Sequence, residues 1–321
     1  GQAAALMADD FRHTTGGELV AVASRSPERA QKYAAAHHVP HVHGSYRELF
    51  ADPDVDLVYI STPTAQHRTL ALAAIEAGKG VLVEKSFTAT LAGAQQIVDA
   101  ARARKVFAME GMWTRFQPAI RRLRDLVNEG ALGEIRNVQG DLCAGRVFSP
   151  HDRLFDPALG GGAMLDLGVY VLAFTRDVID AMPTRLVVQG NRYRNGVDSD
   201  FGMLLDYGDG RSATLNCSLR YQGPGRMVVI GTHGWAEVMP RFHHPTRLAV
   251  HVGGAIPRTY ELPPAGNGYS HEIQAVNDAL HARLLEQPLM PLQHTLDVQA
   301  MMAEGLAQLG VTPVDDDTQL G

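Results

Sequence analysis

Cysteine is nearly absent, with two thiols, Cys143 and Cys217, in 321 residues. Two cysteines that far apart in sequence build neither a disulfide framework nor a thiolate metal site. An excess of positive charge is also lacking. The net charge of −6 gives no sign of the concentrated basic face that a nucleic-acid partner requires, and none is expected. Arg121, Arg122 and Arg124 cluster on an expected helix, where a solvated face accounts for them. No apolar run approaches the length that spans a bilayer, so no membrane partner is expected. No secretory leader is visible at a start that lies partway into a motif, and a cytoplasmic protein is expected.

What remains is ordinary globular composition, 45% hydrophobic and 20% charged. The length suits two domains. The first part alternates strands with helices. Ala3–His13 has helical spacing, and Glu18–Ser24 is a β-branched run between Gly16-Gly17 and Arg25-Ser26-Pro27. Pro27 opens a helix, where its missing N–H costs nothing. Val55–Ser61 and Val81–Glu84 read as buried strands, Thr88–Arg104 as a helix and Val106–Glu110 as a strand. Continuous apolar strands between helices imply a parallel sheet covered on both faces.

After about Gly130 the pattern becomes period two. Ala213, Leu215, Cys217 and Leu219 face one way, and Ser212, Thr214, Asn216 and Ser218 the other. Glycine-rich turns separate such runs, as expected of an antiparallel sheet with one buried face. Helices near Tyr269–Leu285 and Thr295–Leu309 close the chain, and the Asp315-Asp316-Asp317 tail is expected to fray. The fold class is therefore α/β. An N-terminal Rossmann doubly wound parallel sheet spans residues 1–115, with its first strand missing. A C-terminal α+β domain with a large, mostly antiparallel open sheet spans 116–321 and carries substrate binding and dimerisation.

A Rossmann unit opens with a strand, a G-x-G-x-x-G/A turn and a helix whose N-terminus stabilises pyrophosphate. Gly1-Gln2-Ala3 matches the second half of that fingerprint, and the following βαβ unit gives the match its value. The end of the next strand selects the nucleotide. It reads Ala23-Ser24-Arg25-Ser26, with Arg29 on the helix beyond and no carboxylate at the strand end. Asp or Glu there would bind a ribose hydroxyl, whereas Arg suits a 2′-phosphate. NADP is expected, with NAD as the alternative.

Three segments carry candidate chemistry. Val81–Val83 lead into Glu84-Lys85, which places a lysine where doubly wound sheets bind ligands. Gly160-Gly161-Gly162 lead into a helix bearing Asp166 and Tyr170, four residues apart and so on one face. A phenol ordinarily releases its proton near pH 10, and a lysine cation favours the phenolate. Tyr170 with Lys85 is thus an expected acid–base unit, with Asp166 orienting substrate or lysine. Trp113 and Arg115, after the last strand of the first domain, are candidates for the nicotinamide or phosphate end. Arg153, Tyr193 and His271 are candidate substrate contacts.

Histidines cluster at His37, His38, His41 and His43, but no matching carboxylate is evident at ligand spacing, and no metal is expected. His243-His244 is read in the same way. The absence of a G-x-S-x-G elbow disfavours a serine hydrolase.

Taken together, Ser61-Thr62-Pro63 with His67, Glu84-Lys85, Trp113-Thr114-Arg115-Phe116, and Gly160-Gly161-Gly162 with Asp166 and Tyr170 follow the order and spacing of one family. The chain resembles the glucose–fructose oxidoreductase / inositol dehydrogenase (Gfo/Idh/MocA) family over nearly its whole length. It is nearest the dihydrodiol dehydrogenase and NADP-dependent D-xylose dehydrogenase branch. The resemblance implies Lys85 as catalytic lysine, Tyr170 as general acid/base and Asp166 as its acidic companion. Gly1, Gln2, Ala3, Ser24, Arg25, Arg29, Ser61, Thr62, Pro63, His67, Glu84, Lys85, Trp113 and Arg115 would line NAD(P). It also implies a sugar, polyol or dihydrodiol substrate and a homodimer. Ser86 departs from the family's Glu-Lys-Pro, where proline is often cis, and could loosen the loop that carries Lys85. Other expectations from the same fold are a nucleotide-binding regulator without turnover, and a nicotinamide-dependent glycoside-cleaving enzyme.

Overall fold

In the computed structural model, described here over residues 1–318, the elements follow in the order α1 (Gln2–Asp10), β1 (Ala21–Ala23), α2 (Pro27–His37), β2 (His41–His43), α3 (Tyr46–Ala51), β3 (Leu57–Ile60), α4 (His67–Glu76), β4 (Gly80–Glu84), α5 (Leu91–Arg104) and β5 (Ala108–Gly111). The chain continues through α6 (Pro118–Asn128), β6 (Ile135–Cys143), α7 (Val169–Ile179), β7 (Arg185–Arg192), β8 (Asp198–Asp206), β9 (Ser212–Ser218), β10 (Met227–Gly231), β11 (Gly234–Val238), β12 (Arg247–Val252) and β13 (Arg258–Glu261). It closes with α8 (Ser270–His281) and α9 (Leu292–Gln308).

The chain forms two units. The first joins Gly1–Trp113 to Ala265–Leu292 and to the described tail from Val314; the second joins Thr114–Pro264 to Gln293–Pro313. Helix α8, from the late part of the sequence, thus belongs to the unit of the early strands and packs against α1. Asp10 shows why. Its carboxylate is fully buried and accepts from the backbone N–H groups of Asn267, Tyr269 and Ser270 at 2.8, 2.8 and 3.1 Å. It caps α8, whose own N-cap, Tyr269, supplies no side-chain acceptor. A Cβ on Gly266 would stand 2.4 Å from Asp10 Oδ1, so glycine is required for that approach.

In the first unit all strand pairs are parallel. β1 pairs with β2, and β3, β4 and β5 form a second sheet in that order. No strand among the described residues joins β1 to β3. Every residue of β4 is buried, as a strand covered on both faces requires. The tail does not fray at its acidic run. Asp315 accepts from Ala89 N at 3.0 Å and from the Thr90 hydroxyl, while Asp316 N donates to Ala65 O at 2.7 Å. These contacts tie the tail to the first unit, and the expectation of fraying is corrected.

The second unit carries an eight-stranded sheet in the order β13-β12-β11-β10-β6-β9-β8-β7. Every pair is antiparallel except β6 with β9. Ala213, Leu215 and Cys217 are buried along β9 and Thr214 is exposed, as the period-two pattern anticipates. Cys143 and Cys217 lie on adjacent strands as buried free thiols. One expectation about apolar runs is corrected. The stretch Pro157–Ile179 is long and apolar enough by length and composition to cross a bilayer, yet 72% of its apolar window is buried inside the protein. It is the core helix of this unit, with Val169 and Val171–Ala173 all at most 2% exposed.

Candidate active site

Strand β4 ends at Glu84 and delivers Glu84-Lys85-Ser86 to the carboxyl edge of the parallel sheet. The Glu84 carboxylate is fixed on both oxygens. Tyr59 Oη donates to Oε1 at 2.6 Å, and Lys85 N donates to Oε2 at 3.1 Å. Burial and then the Glu84 charge push the Tyr59 phenol well above its ordinary range, so it remains a donor. The Lys85–Ser86 peptide is cis, and Ser86 is buried. His67, 1% exposed, places Nδ1 2.9 Å from Ser86 O and Nε2 2.8 Å from Thr62 O. Whichever nitrogen holds the proton donates to one loop, and burial lowers the ring's proton affinity. The turn is held without proline, which corrects the expectation that Ser86 would loosen it. His67 accordingly positions the two loops and is buried behind them.

Behind this turn lie two further buried carboxyls. Glu110, on β5, accepts from Phe87 N at 3.1 Å. Glu272, on α8, is fully buried, and burial followed by the Glu84 and Glu110 charges raises it well above the ordinary carboxyl range. Burial thus favours its protonated form inside the first unit, and sequence reading missed it. A polar residue on an amphipathic helix gives no sign of which unit the helix joins. Trp113 stacks on Tyr269, ring centroids 4.7 Å apart and 13° from parallel.

At the nucleotide end, α1 begins at Gly1 with no side-chain cap, and an added Cβ there would lie 3.8 Å from Ser61 O. The helix start therefore sits at the end of β3, its first N–H groups without a side-chain acceptor. That is an arrangement suited to a pyrophosphate. Ser24, Arg25, Ser26 and Arg29 follow β1. Ser26 caps α2, accepting from Arg29 N at 3.4 Å, and Ser26 N donates to Ser24 Oγ at 3.2 Å. Arg25 and Arg29 are both exposed, and no carboxylate occupies residues 23–27.

In the second unit the triple glycine is a steric requirement. Gly160 and Gly162 have φ of 77° and 131°, and a Cβ on Gly162 would fall 2.1 Å from Asp198 Oδ1. Asp198 is fully buried, and its Oδ2 accepts from Met164 N at 2.6 Å at the helix start. Burial lifts its carboxyl to about 6. Next comes a π-helical turn, Met164–Gly168, before α7 proper. Such turns concentrate at functional sites, and this one carries Asp166. Arg153 Nη1 lies 3.5 Å from Asp166 Oδ1. Tyr170, 8% exposed, has the His243 ring beside it at 5.4 Å between centroids. Sequence reading gave His243 no catalytic part; no local spacing connects it to Tyr170.

Arg115 is engaged within the second unit. Its Nη2 donates to Ala173 O at 3.0 Å and its Nη1 to His294 Nδ1 at 2.9 Å, with Asp177 at 3.8 Å. At 3% exposure it packs the unit's interior, in place of the cofactor contact its position suggested. Tyr193 packs between Phe148 and Phe155, and His271 Nε2 accepts from Ala265 N at 3.1 Å. The histidine cluster does have its carboxylate. Asp52 Oδ2 lies 2.8 Å from both His41 Nδ1 and His43 Nε2, which corrects the reading that none was at hand.

A parallel unit with an uncapped helix start at a strand end, joined in one chain to a large open sheet, defines a class of fold: a Rossmann-like unit followed by an α+β unit. The comparisons agree. Residues 1–112 match the family model described as "Oxidoreductase family, NAD-binding Rossmann fold", and residues 120–237 match the GFO/IDH/MocA C-terminal domain. The trans-1,2-dihydrobenzene-1,2-diol dehydrogenase of Bos taurus is 35% identical, covering 92% of this chain and 90% of its own. The human enzyme of that name is 34% identical over the same shares. Among solved structures, aldose-aldose oxidoreductase from Caulobacter crescentus superposes with TM-score 0.87 at 24% identity, over 95% of this chain and 93% of that one. A levoglucosan dehydrogenase solved with NADH gives 0.86 at 19%, over 97% and 94%. The chain belongs to the Gfo/Idh/MocA oxidoreductase family.

Proposed function

We propose that this protein is an NADP-dependent dehydrogenase or reductase that moves a hydride between the nicotinamide and a CH–OH/C=O carbon of a dihydrodiol, sugar or polyol. The observation that carries the reading is the Glu84-Lys85-Ser86 turn at the carboxyl end of a fully buried parallel strand, held by Tyr59 and His67. The relatives named for dihydrodiol oxidation support the substrate class.

The bound nicotinamide supplies hydride acceptance or donation; the rest is the work of this chain's residues. Tyr170 takes the carbinol proton in oxidation and returns it in reduction. Lys85 would supply the positive charge that such a proton transfer calls for. Asp166, fixed toward Arg153, orients a substrate hydroxyl. The first turn of α1 and the Ser61-Thr62-Pro63 segment would hold the pyrophosphate, while Arg25 and Arg29 would take a 2′-phosphate with charge-assisted bonds.

A screen of trans-dihydrodiols, aldoses and polyols with NADP and NAD, followed by nicotinamide absorbance, tests the reading. We expect turnover with NADP and a fall in kcat of ~100- to 10,000-fold in Tyr170→Phe. Undiminished turnover in that variant removes the tyrosine from the mechanism. Tight nucleotide binding with no turnover on any substrate would favour the regulator reading. Arg25→Ala should weaken NADP by ~10- to 100-fold, the worth of a charged hydrogen bond, and leave NAD unaffected. Equal loss for both nucleotides would refute the 2′-phosphate assignment.

A further inference from the structure

Strand β2 is an edge, paired only with β1. His41 and His43 are two residues apart on it and so project to the same side. Asp52, the C-cap of α3, faces them. It is 7% exposed, and Asp54 N occupies its Oδ1 at 2.9 Å. The remaining oxygen, Oδ2, stands 2.8 Å from His41 Nδ1 and 2.8 Å from His43 Nε2. These ligand atoms all lie within 4.8 Å of one another. Asp52 is also anchored through its main chain, where Lys79 Nζ donates to its carbonyl at 2.7 Å.

Two imidazoles aimed at a single carboxylate oxygen can each donate a proton to it, or can share a cation with it. The arrangement suits the second. A zinc ion with ligand bonds of roughly 2.0–2.2 Å needs each imidazole nitrogen only some tenths of an ångström further from the Asp52 oxygen than here. The His41 and His43 side chains are 38% and 21% exposed, so they have room to move and leave a coordination position for water. His41 also has an outer carboxylate within reach: its Nε2 faces Asp54 Oδ2 at 3.9 Å, a gap that a small side-chain rotation closes to a hydrogen bond. Metal-bound histidines usually carry such a carboxylate, which fixes the tautomer with the free nitrogen pair on the metal. Two nitrogens and one oxygen select a borderline first-row cation over calcium or magnesium.

We propose that His41, His43 and Asp52 bind one divalent first-row cation, zinc foremost, with water completing the shell. The ion ties the edge strand to the end of α3. Through the register Ala23↔His43 it steadies the end of β1 that leads into Ser24 and Arg25. Its part is structural, and it is independent of the hydride chemistry.

The test uses the full chain, stripped with EDTA and titrated calorimetrically with Zn²⁺. We expect one ion per chain at this site, and a loss of affinity above ~100-fold in His41→Asn/His43→Gln. Asp54→Asn should lose only the ~10-fold of an outer partner. Zinc should raise the melting temperature of the native chain and not of the double variant, whose fold in EDTA is checked by circular dichroism. As an arm that needs no variant, zinc should protect His41 and His43 from diethylpyrocarbonate, mapped by mass spectrometry. Binding that persists in the double variant, or equal labelling with and without zinc, overturns the proposal.

Discussion

The two units bury their strands in opposite ways. In the first, β4 is buried at every position and both sheet faces are closed, so polar chemistry is confined to the strand ends, at Glu84-Lys85-Ser86. In the second, each strand alternates. Leu205 is fully buried while its neighbour Leu204 is 50% exposed, and one face of the sheet is left open. A closed parallel sheet makes its site where strands stop. An open antiparallel sheet makes its site on the helix laid across the covered face. This unit's polar groups, Asp166, Arg153, Tyr170 and Asp198, accordingly gather around the π turn and its glycine entry.

The sharpest way to break this comparison is Gly162→Ala. A Cβ there meets Asp198 Oδ1 at 2.1 Å with φ at 131°. We expect a loss of about 3 kcal/mol, read by urea denaturation as a lower midpoint. A stability unchanged from the parent would show that the glycine entry is not a steric necessity.

The next effect sharpens the contrast through pH. Asp198 titrates at about 6 when folded against 3.8 as a free carboxyl. Between those values the folded chain holds a proton that the unfolded chain has released. Its contribution to stability therefore falls as pH rises through the window and stays at the lower level above it. Asp198→Asn should remove that slope, worth on the order of 3 kcal/mol. Identical pH-stability profiles for the two proteins would place the buried proton elsewhere. The smallest expected effect lies in the first unit. Asp315→Ala removes acceptors for Ala89 N and the Thr90 hydroxyl. It should cost about 1 kcal/mol and expose the tail to proteolysis; a tail cut no faster than in the parent would contradict its anchoring.

Much of this was legible in the residues. Period-two alternation marked β9, the continuous run Val81–Glu84 marked β4, and Gly160-Gly161-Gly162 marked the helix entry. Those features are local, because each residue's neighbours in sequence are its neighbours in the element. What stayed hidden depends on pairing across long stretches of chain. Nothing near Asp10 signals that it caps a helix starting at Ser270. Nothing in His41 and His43 names Asp52, which reaches them only once α3 has turned back. Arg115 looked available for a cofactor because the carbonyl of Ala173, which it serves, lies on α7. The anchoring of Asp315 was missed for the same reason: acidic tails usually find only water.

The division of the chain has a consequence for synthesis. The strands of the first unit leave the ribosome early, yet that unit closes only with residues 265–292, made after most of the second unit, and with the tail from Val314, made after all of it. The half that is translated first is therefore finished last. Until then the N-terminal piece waits without α8, leaving the Asp10 carboxylate with no helix to cap. A gene fragment that stops at Trp113 would freeze the nascent chain in that unfinished state.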